Sequence, residues 1–279
     1  WLIKSRIIYQ PDKIAAARRW VPILIAIMSG AFASYLALKG IKKIIKIDIQ
    51  TAIIIGFLIG VATWAITKPI IAKQSVGMEN RNKSLKQLFN IPLIVSAALL
   101  SFAHGANDVA NAVGPLAAIV QASSSGEYIT AISIPLWVMV IGAAGISFGL
   151  FLFGPKLVRV VGSQITKLNQ MRAYCVALSA AITVIVASWL GLPVSSTHIA
   201  VGSVFGVGFF REWDSARRMK LAKLSSDKNQ LVVAKEERAR RKLVRRSHFM
   251  SIIAAWIITV PSAAIISGVI YSVILFSTG

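Results

Sequence analysis

A chain of 279 residues that is 56% hydrophobic and 15% charged, with mean hydropathy +0.71, is a polytopic membrane protein and not a soluble domain. Its net charge of +21 does not make it a nucleic-acid binder, because the cations occupy the connections between apolar runs, as the positive-inside rule places them. The single cysteine, Cys175, lies in an apolar run, excludes an internal disulfide and reads as a small core residue.

The chain opens at Trp1, without a cleavable signal, on a basic and mixed stretch; the expectation is that a natural N-terminal part precedes it. Residues 1–19, with Lys4, Arg6, Lys13, Arg18 and Arg19, read as a partly helical surface segment. Residues 20–38 form the first span, anchored at the interface by Trp20. Lys39, Lys42, Lys43 and Lys46 make a short basic connection. Residues 47–67 are the second span, with Gly56 and Gly60 spaced for close helix packing and Lys68 and Pro69 closing it. A polar loop follows over 72–86.

From residue 87 to 126 the only charge is Asp108. One continuous helix of that length would measure about 60 Å, roughly twice the hydrocarbon thickness. Breaks are therefore expected at Gly105-Ala-Asn-Asp108 and at Gly114-Pro115. Residues 129–154 are an uncharged span, and 155–172 a polar stretch in which Leu157, Val158, Val161, Ile165 and Leu168 predict a short interfacial helix. Residues 173–210 again hold no Asp, Glu, Lys or Arg. Here Gly191-Leu-Pro193 is expected to end one helix, and Ser195 or Ser196 to cap the next. A basic connection over 211–248, read as a solvated segment against anionic lipid, leads to the last span, 249–276.

The predicted fold class is thus all-α: a polytopic membrane helical bundle with two broken or re-entrant segments. Its divisions are 1–86, a transport core over 87–210, the connection 211–248 and the last span within 249–279. The basic connections 155–172 and 211–248 are expected on the cytoplasmic side, with 123–128 and Gly279 outside. A cysteine placed at Ser124 should then be labelled from outside in whole cells; labelling only after permeabilisation would reverse the topology.

Of ten acidic residues, nine lie in or beside polar connections; Asp108 alone is deep in an apolar segment. An ionisable group at that depth costs roughly 3 kcal/mol on insertion scales and by default marks an ion or substrate path. Pairing or snorkelling at a helix end is the bland alternative. Asn107 and Asn111 are four apart and share a helix face if the second half-helix begins early, and their amides both donate and accept. Ser195, Ser196 and Thr197 offer hydroxyls at a helix start, whose N–H groups suit an anion; plain capping and interhelical bonding compete with that reading. Neither cluster holds Lys or Arg, so an oxyanion would be held by neutral dipoles with a co-bound cation. His104 and His198 are candidate proton relays or anion donors, with packed histidines the equal alternative. No metal-ligand spacing is present, and no cofactor is expected beyond a coupling ion. A hydrolase built on Ser195 or Ser196, His198 and Asp108 is disfavoured, because no Gly-x-Ser-x-Gly elbow is present; the chain is not expected to be an enzyme.

Phe102-Ala-His-Gly-Ala-Asn-Asp-Val-Ala-Asn-Ala-Val-Gly-Pro115 resembles one signature of the inorganic phosphate transporter (PiT) family. Gly191-Leu-Pro-Val-Ser-Ser-Thr-His198, followed by Val201-Gly202, resembles that family's second signature. The likeness is close over 88–210 and one of pattern only in the flanks. It implies symport of inorganic phosphate driven by Na⁺ or H⁺ across a plasma or bacterial inner membrane. Carried over, Asn107, Asn111, Ser195, Ser196 and Thr197 would line the phosphate site, and Asp108, Asn107 and Asn111 the cation site. The family has two inverted repeats, each with both signatures. This chain has one of each, resembling the C-terminal repeat, so a missing N-terminal repeat or a second chain is expected to complete the site. The implied partners are phosphate, Na⁺ or H⁺ and membrane lipid, with no nucleic acid. The alternatives are a permease for sulfate or another oxyanion, and a non-transporting remnant of a split transporter.

Overall fold

A computed structural model describes residues 1–39, 48–125, 134–160, 168–192, 194–224 and 246–278. Among them every regular element is helical: a π-helical turn over Lys4–Ile8, then α1 (Lys13–Lys39), α2 (Ile49–Gln74), α3 (Asn82–Leu88), α4 (Asn90–Ser125), α5 (Leu136–Val160), α6 (Gln170–Trp189), α7 (Ser196–Leu224) and α8 (Arg246–Thr278). Six of these, all but α3 and α7, are long and apolar enough to cross a membrane. The composition dictates this outcome, since in hydrocarbon a helix satisfies its own backbone groups where an open strand cannot. The chain is an all-helical integral membrane protein.

Prolines mislead a local reading here. Pro22, Pro69, Pro115, Pro155 and Pro261 all lie inside helices. Pro69 therefore does not close the second span, and Pro155 does not end the fourth. The expected breaks at Gly105 and Gly114-Pro115 are absent as well: α4 runs unbroken for 36 residues, so one of the two broken segments is a single helix. An internal proline frees one carbonyl, whereas unwinding several residues in hydrocarbon exposes several groups at a few kcal/mol each. At about 54 Å, α4 must tilt or project beyond the hydrocarbon.

The second break is present, between α6 and α7, and its freed groups find partners. Gly191 has φ +73°, in the left-handed region that closes a helix. Its N–H donates to Ser188 O at 3.2 Å, and Leu192 N–H to Ala187 O at 2.9 Å, which together make a Schellman cap. Ser195 starts the next helix: its carbonyl takes Ile199 N–H at 3.1 Å, and its Oγ lies 3.4 Å from the donating His198 N–H. Gly191→Ala should lower stability by about 1–2 kcal/mol through backbone conformation, since an added Cβ meets nothing within 4 Å. A melting temperature equal to that of the parent would count against this cap.

Residues 1–158 with 168–203 form one compact unit, and 159–167 with 204–279 a second. In the first unit α1 and α2 pack as an antiparallel hairpin at the small-residue face expected from Gly56 and Gly60. A Cβ on Gly56 would overlap Ser34 Oγ and lie 2.5 Å from the Gly30 carbonyl oxygen, and one on Gly60 would sit 3.2 Å from Ala26 O. The core lies at the end of this hairpin where α1 begins. There Ile14, Ala17, Val21 and Ile25 of α1 join Ile71, Leu85, Leu88, Phe89, Leu99 and Tyr174, with Phe89 and Tyr174 meeting edge to face at 5.8 Å. Ile7 is fully buried in the same cluster, so the first stretch is tied down and does not lie free on the surface. Asn80 Nδ2 donates to Pro11 O at 2.7 Å and Asn80 Oδ1 accepts from Lys13 N–H at 2.9 Å, which clamps the loop after α2 to the start of α1.

In the second unit the basic connection begins inside a helix. α7 runs on to Leu224, and Arg211, Asp214 and Ser215 are buried. Nothing in 196–224 breaks the helix, and Val204, Arg211, Ser215 and Met219 recur on one face at helical spacing. The remainder of that connection, 225–245, lies outside the described residues, as does most of the expected interfacial helix after Val160. The apolar stretch of α8 is exposed almost throughout.

Candidate functional site

Because α4 is continuous, His104, Asn107, Asp108 and Asn111 occupy neighbouring positions on about two turns. The unwound residues before α7 lie beside that stretch. Asn107 Nδ2 donates to Val194 O at 2.7 Å, and Asn111 Nδ2 donates to the same oxygen at 3.2 Å. Two amides four residues apart on one helix thus hold a carbonyl that the break has freed. This is the satisfaction that an unwound segment in an apolar setting requires.

Asp108 is the centre of the polar network. Ser196 Oγ donates to its carboxylate, lying 3.0 Å from Oδ1 and 3.2 Å from Oδ2. His104 Nε2 lies 2.6 Å from Oδ2, one helical turn back along α4, and Asn107 Nδ2 is 3.2 Å from Oδ1. Hydrogen bonds to a carboxylate are the stronger kind, and three donors are how an acidic side chain is accommodated in this helix. Asn107 and Ser196 are each 5% exposed, while the Asp108 and His104 side chains are about one-third open, at 31% and 32%. The site is therefore walled on one side and accessible on the other.

The two sequence signatures meet, across more than eighty residues of chain. Asn107, Asp108, Asn111 and Ser196 come together with His104. Ser195 sits next to them, with its hydroxyl engaged in the helix cap. Thr197 and His198 are exposed on the first turn of α7, and the network reaching the carboxylate uses His104. Sequence reasoning missed two features. The Val194 carbonyl carries no side-chain signal; only the four-residue spacing of two asparagines hinted at a shared partner. The second is the partner of the Ser196 hydroxyl, which donates to Asp108 in this structure. Among the described residues no group of three or more His, Cys, Asp or Glu side chains is placed to hold a metal ion.

An acidic centre joined to a broken-helix start offers a carboxylate for a cation beside N–H and hydroxyl donors for an anion. A Helicobacter pylori (strain J99) protein, provisionally named a phosphate permease, is 41% identical over 321 residues, covering 97% of this chain and 60% of that protein. Sodium-dependent phosphate transporter 1 of Xenopus tropicalis is 33% identical over 190 residues, covering 68% of this chain and 24% of that protein. A solved structure titled "The sodium-dependent phosphate transporter" is similar with a TM-score of 0.67 at 29% identity, covering 86% of this chain and 57% of that one. The chain spans about 60% of the length of the first curated relatives it matches. Residues 1–267, with both signatures inside them, match the description "Phosphate transporter family", and the chain belongs to that family.

Proposed function

We propose that this chain is part of a cation-coupled symporter of inorganic phosphate, with the Asp108 network as its coupling element. The observation that carries the reading is the Ser196 hydroxyl donated to both carboxylate oxygens of Asp108. A cation arriving at Asp108 takes over the compensation of its charge that the Ser196 and His104 donors now give by hydrogen bonding. The hydroxyl and the imidazole N–H are then released to an oxyanion at the start of α7. Of the backbone N–H groups in that first turn, those of Ser196 and Thr197 have no carbonyl to reach within the helix and suit an anion, while that of His198 is taken by Ser195 Oγ. Ser195 and Thr197 add hydroxyls, while Asn107 and Asn111 turn their Oδ1 atoms to the cation and keep Nδ2 on Val194. Neutral donors hold the anion loosely enough for release, and a co-bound cation balances its charge. A second repeat, in the rest of a longer chain or in a second chain, completes the site.

Na⁺ is the coupling ion favoured by the names of the Xenopus relative and the solved structure. A proton has one observation of its own: the His104–Asp108 contact at 2.6 Å is a ready proton carrier. Uptake of radiolabelled phosphate into proteoliposomes by the intact reading frame, under an imposed Na⁺ gradient or an imposed pH gradient, tests the proposal. Na⁺-dependent accumulation supports it in its first form, and accumulation driven by pH alone in its second. Uptake indifferent to both gradients, or sulfate competing as well as phosphate, overturns it.

A further inference from the structure

The α1–α2 hairpin carries a second feature, away from the Asp108 network. Where the glycines cross, the absence of side chains leaves a groove of about 430 Å³ on the hairpin's face, lined by Ile27, Gly30, Ala31, Gly56, Gly60 and Trp64 among others. It runs from Ile23 to Ser34 along α1, roughly 16 Å at helical rise. Its walls are largely apolar side chains and its floor is bare glycine backbone, a lining that suits a hydrocarbon chain laid along it.

One end of the groove is cationic. Lys68 follows the lining residue Trp64 by one turn, with its ammonium 4.6 Å from the centre of the Trp64 ring. Arg19 precedes the lining residue Ile23 by one turn on the same face of α1. The antiparallel register that sets Gly30 against Gly56, and Ala26 against Gly60, sets Arg19 level with Lys68. Both side chains are exposed. Arg18 is different, because its guanidinium is tied to Ser75, with Nη2 3.1 Å from Ser75 O. This is also the basic end of the hairpin: residues 1–19 and 68–86 carry ten Lys and Arg, against four in 39–47. The positive-inside rule puts such an end at the cytoplasmic leaflet, where anionic lipid is concentrated.

We propose that this groove is a binding site for an anionic glycerophospholipid, with one acyl chain along the glycine floor and the phosphate between Arg19 and Lys68. A lone apolar groove would accept any lipid; a cation on each of two helices at the same end selects a negative headgroup.

Native mass spectrometry of the purified 279-residue chain, exchanged into equimolar phosphatidylglycerol and phosphatidylcholine, reads the preference directly. The wild type should retain phosphatidylglycerol roughly tenfold over phosphatidylcholine, and Arg19→Ala with Lys68→Ala should remove the preference. Lys73→Ala with Lys83→Ala removes the same charge elsewhere at that end and should keep it. Ala31→Trp, at an exposed lining position, should reduce retention of both lipids by filling the groove. If Ala31→Trp fails to fold, the exposed Arg19 and Lys68 substitutions still decide the question. Equal retention of the two lipids by the wild type, an undiminished preference in the Arg19/Lys68 variant, or a second copy of the chain cross-linking through a cysteine at Ala31 would each overturn the site.

Discussion

Asp108→Asn is expected to abolish cation-driven accumulation of phosphate while the protein still folds. The substitution keeps the shape and one of the two acceptor oxygens, replaces the other with an NH2 donor, and removes the charge. Losing one member of a buried charged pair typically costs roughly 3–5 kcal/mol. With the Asp108 side chain 31% open, solvent reduces that cost, and a fall of roughly 100-fold in coupled uptake is the expected size. If Na⁺ is the partner, phosphate binding itself loses its Na⁺ dependence or disappears. If H⁺ is the partner, the amide imitates the protonated acid, so binding persists while accumulation against a gradient fails. Ser196→Ala is the companion measurement. It should weaken phosphate by roughly tenfold, the worth of one hydrogen bond to a charged group. Cation affinity should not fall, because the change removes a donor that competes for the carboxylate. The measurements belong in proteoliposomes with imposed ion gradients and the complete transporter. Unchanged uptake with unchanged cation dependence in Asp108→Asn would sink the site assignment.

Gly56→Leu is expected to be the most destabilising substitution in the α1–α2 hairpin. Even the first added carbon overlaps Ser34 Oγ and lies 2.5 Å from the Gly30 carbonyl oxygen. A hydroxyl can rotate away, but a backbone carbonyl in a helix cannot. The two helices must therefore separate, at a cost of about 3 kcal/mol, the upper end of ordinary overpacking. Gly56→Ala combined with Ser34→Ala isolates the two contacts. It relieves the hydroxyl and leaves the carbonyl, so its melting temperature should fall between that of the parent and that of Gly56→Ala. Full recovery in the double variant, or a parental melting temperature for Gly56→Leu, would show that the helices do not cross this closely.

The sequence and the structure part company where a local rule meets a membrane. Proline at 69, 115 and 155 reads as an end to helix, and in water it often is, because water satisfies the groups that proline frees. In hydrocarbon an unwound segment has no such partner, so the helix carries on through the proline. The break at 190–195 survives the same constraint because Gly191 closes its own cap and two asparagines take up the Val194 carbonyl. Charge misleads in the same way at Arg211 and Asp214. Both read as solvated, yet helical spacing carries them onto the buried face of α7.

What the sequence determined by itself is additive along the chain: which stretches prefer hydrocarbon, that those stretches are helical, that Gly56 and Gly60 form a packing face, that the chain turns at Gly191-Leu-Pro193 and that Ser195 or Ser196 caps the next helix. Each is set by a residue and its near neighbours, and two intact signatures were enough to suggest the family. The tertiary structure alone decided which groups meet. Val194 offers only a backbone oxygen, which has no letter in the sequence. Ser196 could have faced an anion, a neighbouring helix or solvent. Its hydroxyl reaches Asp108, 88 residues away, because a continuous α4 presents that carboxylate beside the unwound backbone that precedes α7.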